Sequence, residues 1–267
     1  MAKKDLVHRK STLPAAPIDY AEDAGAGMEG ADSAAFAIPF LSILQSGSPQ
    51  VKKSDGAYIK GAEEGHMLNS VTGELFREGV DVIPVAYQRR FLRWGPRDAG
   101  GGYRGEFTAD EIAKLRAAKE IVEVEGAYYF PEGGKVNTKK CDRLADTRNH
   151  FVIFVRPDGS YGQALMSLTS TQIKKSKNWM SKIDGVMMML ADGRKIKPAS
   201  WANRYRARTV PEKNDKGTWF GWAIELVGAV TDADLYAAAK HFHSQIVAGA
   251  VKVAMETATA TEDDDRF

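Results

Sequence analysis

Residues 80–94 read VDVIPVAYQRRFLRW, and this stretch decides the fold class. Val80 and Val82, then Tyr87, Arg89, Phe91 and Arg93, fall at every second position, the period of a β-strand. Upstream, residues 57–79 read as short strands broken by glycine turns, and structure begins near Phe36 with the apolar run of AIPFLSILQSGSPQ, stopped by Gly47, Ser48 and Pro49. Downstream, Thr108-Ala-Asp-Glu has capping-box spacing and opens a helix with Ile112, Leu115 and Ala118 as its apolar stripe.

GAYYF and HFVIFV read as two further strands, the second apolar enough to be central, followed by a turn at Pro157-Asp158-Gly159. Thr169 to Met180 is expected to form a second helix, capped by Ser or Thr and carrying Lys174, Lys175, Lys177 and Lys182. Ala199–Val210 and Thr218–Val227 read as strands joined by the polar loop PEKNDKG. Thr231 or Asp232 is then expected to cap a long Ala-rich helix running to about Met255. Many short strands with two or three helices imply an α+β domain around a small barrel or sandwich.

The formal charge of +2 divides unevenly: residues 1–35 contribute −2 and residues 262–267 contribute −3, so the body between them carries +7. A basic body with an acidic end points towards a polyanionic ligand. Residues 1–35 hold few large apolar groups and are expected to be flexible. No apolar run is long enough for a membrane span, and the basic start lacks the apolar core of a secretory signal. A single cysteine, Cys141, excludes an intramolecular disulfide and fits a reducing cytoplasm.

Enzyme motifs are missing. Two GxGxxG matches exist, at Gly25-Gly27-Gly30 and Gly100-Gly102-Gly105, but neither joins a strand directly to a helix N-terminus, which the phosphate cradle requires. Gly134-Lys135 lacks the rest of a P-loop. His241 and His243 point to different helix faces, His66 and His150 are isolated, Cys141 has no local partner, and the acids look scattered. No catalytic residue, metal or cofactor is therefore expected.

Arginines interleaved with aromatics stand out instead. Single strands are held by cations that track phosphates and by aromatic faces that stack on splayed bases. YQRRFLRWGPRDAGGGYRGEF supplies Tyr87, Arg89, Arg90, Phe91, Arg93, Trp94, Arg97, Tyr103 and Arg104. WANRYRARTVPEKNDKGTWFGW places Arg204, Arg206 and Arg208 on one strand face and Trp201, Asn203 and Tyr205 on the other. Its partner strand sets Trp219 opposite Phe220, Trp222 and Ile224. KVNTKKCDRLADTR adds Lys135, Lys139, Lys140, Arg143 and Arg148 behind Tyr128, Tyr129 and Phe130. From these, the aromatics taken as candidate stacking residues include Tyr129, Trp201, Tyr205 and Trp219.

The chain's end, Glu262-Asp263-Asp264-Asp265-Arg266-Phe267, resembles the acidic tails of bacterial and phage single-stranded-DNA-binding proteins, although Arg266 departs from the usual neighbour of the last residue. The body is similar to phage-encoded replication and recombination proteins in PFLSILQSGSPQ, GHMLNSVTGEL, VIPVAYQRRFLRW, HFVIFVRPDGSYGQALMSLTSTQIKKSKNW and WFGWAIELVG. The resemblance implies an oligonucleotide-binding (OB) type five-stranded barrel, elaborated with helices, that coats single-stranded DNA without sequence preference. It also implies that Asp263, Asp264, Asp265 and Phe267 recruit replication and recombination proteins, the Phe entering an apolar pocket rimmed by basic residues.

The expected organisation is a flexible segment over 1–35, an OB-like single-stranded nucleic-acid-binding domain over 36–256 and an acidic tail over 257–267. A membrane partner is not expected, and a homodimer is left open. Rival readings are a strand-annealing recombination mediator, a phage protein-interaction module without nucleic-acid binding, and an enzyme with a dispersed site.

Overall fold

The computed structural model describes residues 26–29, 37–96, 101–215, 217–249 and 251. The chain divides between Phe36 and Ala37. Of the first unit only 26–29 are described, where the Gly27 N–H donates to Glu29 Oε1 at 2.8 Å.

The second unit begins with a small antiparallel sheet of β1 (Leu41–Ile43), β2 (Met67–Asn69) and β3 (Leu75–Phe76). Then come β4 (Val80–Trp94), β5 (Tyr103–Phe107), α1 (Ala109–Ala117), β6 (Val122–Val124), β7 (Ala127–Tyr129), β8 (Arg143–Val155) and β9 (Tyr161–Thr169). The rest is α2 (Ile173–Asp184), the hairpin of β10 (Met188–Met189) and β11 (Lys195–Ile196), β12 (Asn203–Asn214), β13 (Gly217–Ala229) and α3 (Ala233–Val247).

The long antiparallel ribbon of β4 and β8 is the spine. At one end β12 pairs with β4 over Val80–Val82 and β9 pairs with β8 over Thr147–Val155, giving the order β13-β12-β4-β8-β9. At the other end β5 takes over beside β4 and β7 beside β8, giving β5-β4-β8-β7-β6. Two five-stranded arrays thus share one ribbon.

A β-bulge between Pro84 and Ala86 lies between the stretch of β4 that pairs with β12 and the stretch that pairs with β5. An extra residue in one strand bends it and raises its twist. The bulge also explains the sequence pattern, in which the residues on one face shift from even numbers (Val80, Val82) to odd ones (Tyr87, Arg89). The fold is mixed α and β, mostly strands, and its main sheet curls into an open half-barrel rather than closing into a barrel.

Both faces of the first array are covered. Val80, Val82, Val152, Phe154, Met166, Tyr205, Ala207, Trp222 and Ile224 pack under Trp179 of α2 and under Leu41, Met67 and Phe76 of the small sheet. On the opposite face Ile83, Val85, Phe151, Ile153 and Leu165 meet Leu235, Ala239, Phe242 and Ile246 of α3. That spacing of four, three and four is the apolar stripe of an amphipathic helix. At the far end Phe91 and Leu144 pack with Ile112 of α1 and with Ile121. The α1 capping box forms as the spacing requires: Glu111 N–H donates to Thr108 Oγ1 and Thr108 N–H donates to Glu111 Oε2.

Several expectations are corrected. PEKNDKG is not a loop, because β12 runs through Asn214, which is already paired with Gly217. Pro211 is tolerated there because β12 has a strand on one side only beyond Ala207. α2 lacks a Ser or Thr side-chain cap; it grows from a single 3-10 turn at Ser170–Gln172. α3 ends at Val247 rather than near Met255, and residue 255 lies outside the described residues. β9 was not expected as a strand. Among the described residues no helix is long and apolar enough to cross a membrane.

β13 is an edge strand, and four of its backbone groups between Phe220 and Ile224 bond to side chains from elsewhere. Gln45 donates to the Phe220 carbonyl and accepts from its N–H, both at 2.8 Å. Trp222 N–H donates to Gln172 Oε1 at 2.9 Å, and Lys182 Nζ donates to the Ile224 carbonyl at 2.7 Å. Unpaired strand edges template aggregation, and these three side chains block that route up to Ile224.

Candidate nucleic-acid interface

The ribbon register sets Tyr87 opposite His150, Arg89 opposite Arg148, Phe91 opposite Asp146 and Arg93 opposite Leu144. Side chains across and diagonal to these pairs can meet. Asp146 accepts from Arg89 Nε at 3.0 Å and Nη2 at 2.7 Å, and from Arg148 Nη2 at 2.9 Å. Arg148 Nη1 also donates to the Tyr87 hydroxyl at 3.0 Å. The Asp146 carboxylate raises the Arg89 pKa above its ordinary value, so this guanidinium stays charged at any working pH.

The same arrangement recurs twice. Asp142, 6% exposed, accepts from Arg93 Nε and from Arg104 Nη1, both at 2.6 Å, while Arg93 lies 4.0 Å over the Phe130 ring. At Asp81 the arrangement is looser: Arg206 Nη1 donates to it at 3.2 Å, while Arg204 Nε lies 3.3 Å away as an ion pair without a hydrogen bond. Three aspartates therefore hold six arginines, and each trio keeps one positive charge. A guanidinium carries five N–H donors in a fixed fork, so a carboxylate can orient an arginine while leaving it donors for an incoming anion; at Asp146 that arginine is chiefly Arg89, 40% exposed, since the Arg148 side chain is only 12% exposed.

The trios occupy two faces. Tyr205 and Ala207 belong to the α2-side core, so Arg204, Arg206 and Arg208 project to the α3 side. Arg208 is bound one-to-one by Glu225 at 2.5 Å. On the α2 side, α1 covers Phe91 and Leu144, and Trp179 of α2 covers His150. Between these covered points lie Arg89, Asp146, Arg148 and Tyr87, the last 36% exposed. This is the one place among the described residues where an arginine trio adjoins an accessible aromatic ring hydrogen-bonded to it.

His150 anchors the adjoining wall. Its ring stacks on Trp179 at 4.6 Å, and its Nε2 shares a 2.7 Å hydrogen bond with Ser176 Oγ. Burial, with help from Arg148, pushes its pKa down to about 3, so the ring is neutral at physiological pH.

The remaining candidates scatter. Phe91, Tyr129 and Tyr205 are buried in the protein interior, their rings already taken up by protein contacts. Trp201 does not share the Tyr205 face as expected from sequence. It sits in a 3-10 turn before β12 and packs with the α3-side core, its ring 4.6 Å from His243. Trp94 and Tyr103 are half-buried against each other at 6.0 Å. Burial, and then Glu106, raises the Tyr103 pKa. Arg90 pairs with Glu106 at 3.5 Å. Trp219 Nε1 donates to Glu212 at 3.0 Å. Lys139 and Lys140 are exposed in the loop before β8, while Arg143 is half-buried at its start. Arg97, Asp263, Asp264, Asp265 and Phe267 lie outside the described residues.

Sequence reasoning missed Asp81, Asp142 and Asp146, since each lies far along the chain from at least one of the arginines it holds.

A family model described as Pam3 phage gp34-like protein matches residues 8–252. No curated protein and no solved structure matches the chain.

Proposed function

We propose, from the premise that the chain belongs to the Pam3 phage gp34-like protein family, that it binds single-stranded DNA without sequence preference. The observation that carries this reading is the trio of Arg89, Asp146 and Arg148 beside Tyr87. Pre-oriented guanidiniums suit phosphate oxygens, and an adjoining ring face suits an unstacked base. The basic body and the phage family agree with it. The OB-like comparison rests on the curled five-stranded arrays that share β4 and β8. The acidic tail is proposed to recruit replication or recombination proteins of the phage or its host in the host cytoplasm.

A second reading, a protein-interaction module, is favoured by one feature: most arginines of the expected interface already face carboxylates. Fluorescence anisotropy of a labelled dT oligonucleotide at two salt concentrations, with duplex and RNA competitors, separates the two. Salt-sensitive binding displaced only by single-stranded DNA supports the first reading; no binding at low salt overturns it in favour of the second.

A further inference from the structure

α2 carries four lysines in twelve residues and one acid, Asp184, at its last position. Its three flanks have different occupations. Ser176 and Trp179 face the ribbon, where they meet His150. Lys175 and Lys182 face β12 and β13, the first pairing with Glu212 at 2.5 Å and the second bonding the Ile224 carbonyl. The third flank carries Lys174, Lys177, Asn178 and Ser181, all exposed. Among the described residues Lys174 and Lys177 have no carboxylate partner, unlike nearly every arginine of the ribbon.

These four positions are separated by three, four and seven residues from Lys174, which places them on one stripe of the helix. Successive turns stand about 5.4 Å apart, a step comparable with that between neighbouring backbone phosphates. Every one of these four side chains can donate a hydrogen bond, and the acid that ends the stripe, Asp184, seven residues after Lys177, is paired with Lys197. α2 is also fixed against the arginine trio, since His150, which it clamps, lies two residues from Arg148 on the same face of β8.

We infer that the outer stripe of α2 is a second phosphate-contacting wall, along which a single strand continues after leaving Arg89 and Arg148. This rests on the proposed single-stranded DNA binding and adds the path the strand takes. Lys174 and Lys177 hold its phosphates as mobile, unpaired cations, while the ribbon arginines hold theirs in fixed forks.

The test is the salt dependence of dT oligonucleotide binding by K174Q/K177Q, compared with the unaltered chain and with K53Q/K60Q, which removes the same charge from an exposed loop. Thermal melts of all three establish that each is folded. Loss of two phosphate contacts on a single strand lowers the slope of log K against log salt by about 1.4. That reduction in K174Q/K177Q alone supports the wall. An unchanged slope, or an equal reduction in both variants, overturns it while leaving single-stranded binding intact. Failure of the unaltered chain to bind overturns the underlying reading as well.

Discussion

His150 and Ser176, each only 1% exposed, share a 2.7 Å hydrogen bond that ties the centre of β8 to α2. The histidine is therefore held neutral, with its pKa moved from 6.5 to about 3. The unfolded chain binds the proton more readily than the folded one, so stability is full above pH 6.5 and falls as pH drops towards 3. The loss is on the order of 1 kcal/mol for each pH unit in that window. Urea denaturation of the native chain and of His150→Gln at pH 7 and pH 5 checks this. The variant is expected to lose less stability on acidification, and equal losses would remove His150 as the cause.

Asp142 is nearly buried and holds two arginines, so Asp142→Ala leaves Arg93 and Arg104 facing each other without their shared partner. Both arginines are partly exposed, which screens the effect. A destabilisation of about 1–3 kcal/mol is expected. Chemical denaturation measures it, and a change below about 0.5 kcal/mol would show that the trio is not a structural joint.

The capping box at Thr108 fixes the start of α1, which in turn covers Phe91. Thr108→Ala should cost about 1 kcal/mol, whereas Thr108→Ser should be near neutral. A matched melting series distinguishes a lost cap from a general response to substitution.

The arginine trios on opposite faces allow a direct comparison. R89Q/R148Q should weaken dT oligonucleotide binding and flatten its salt dependence, because it removes the forks beside Tyr87. R204Q/R206Q acts on the α3-side face and should leave the slope closer to that of the native chain. The reverse ranking would move the interface to the other face.

Replacing Gln45 and Gln172 by Ala uncovers the β13 edge at Phe220 and Trp222. The double variant should scatter light at lower temperature than the native chain during slow heating. Unchanged aggregation would mean that the edge is protected by other means.

Much of the fold was legible in local patterns. Alternation marks β4, the capping box marks α1, and Asp232 caps α3 through hydrogen bonds from Asp234 and Leu235 N–H. β9 was not, because Ala164, Leu165 and Met166 are buried in succession, and a strand covered on both faces does not alternate. The site was half legible. Arg89 and Tyr87 were visible as a pattern, but Arg206 reaches back to Asp81 on a different strand, a pairing that no local window contains. The burial of Phe91, Tyr129 and Tyr205 was equally hidden, since an aromatic on a strand suits a core as well as a stacking platform.

The three side chains that cover the β13 edge have a consequence for how the protein is made. Gln45, Gln172 and Lys182 all precede β13 in the chain. As the polypeptide leaves the ribosome, every cover has therefore been synthesised before the strand it protects. β13 emerges after the side chains that bond to it at Phe220, Trp222 and Ile224 have all been made.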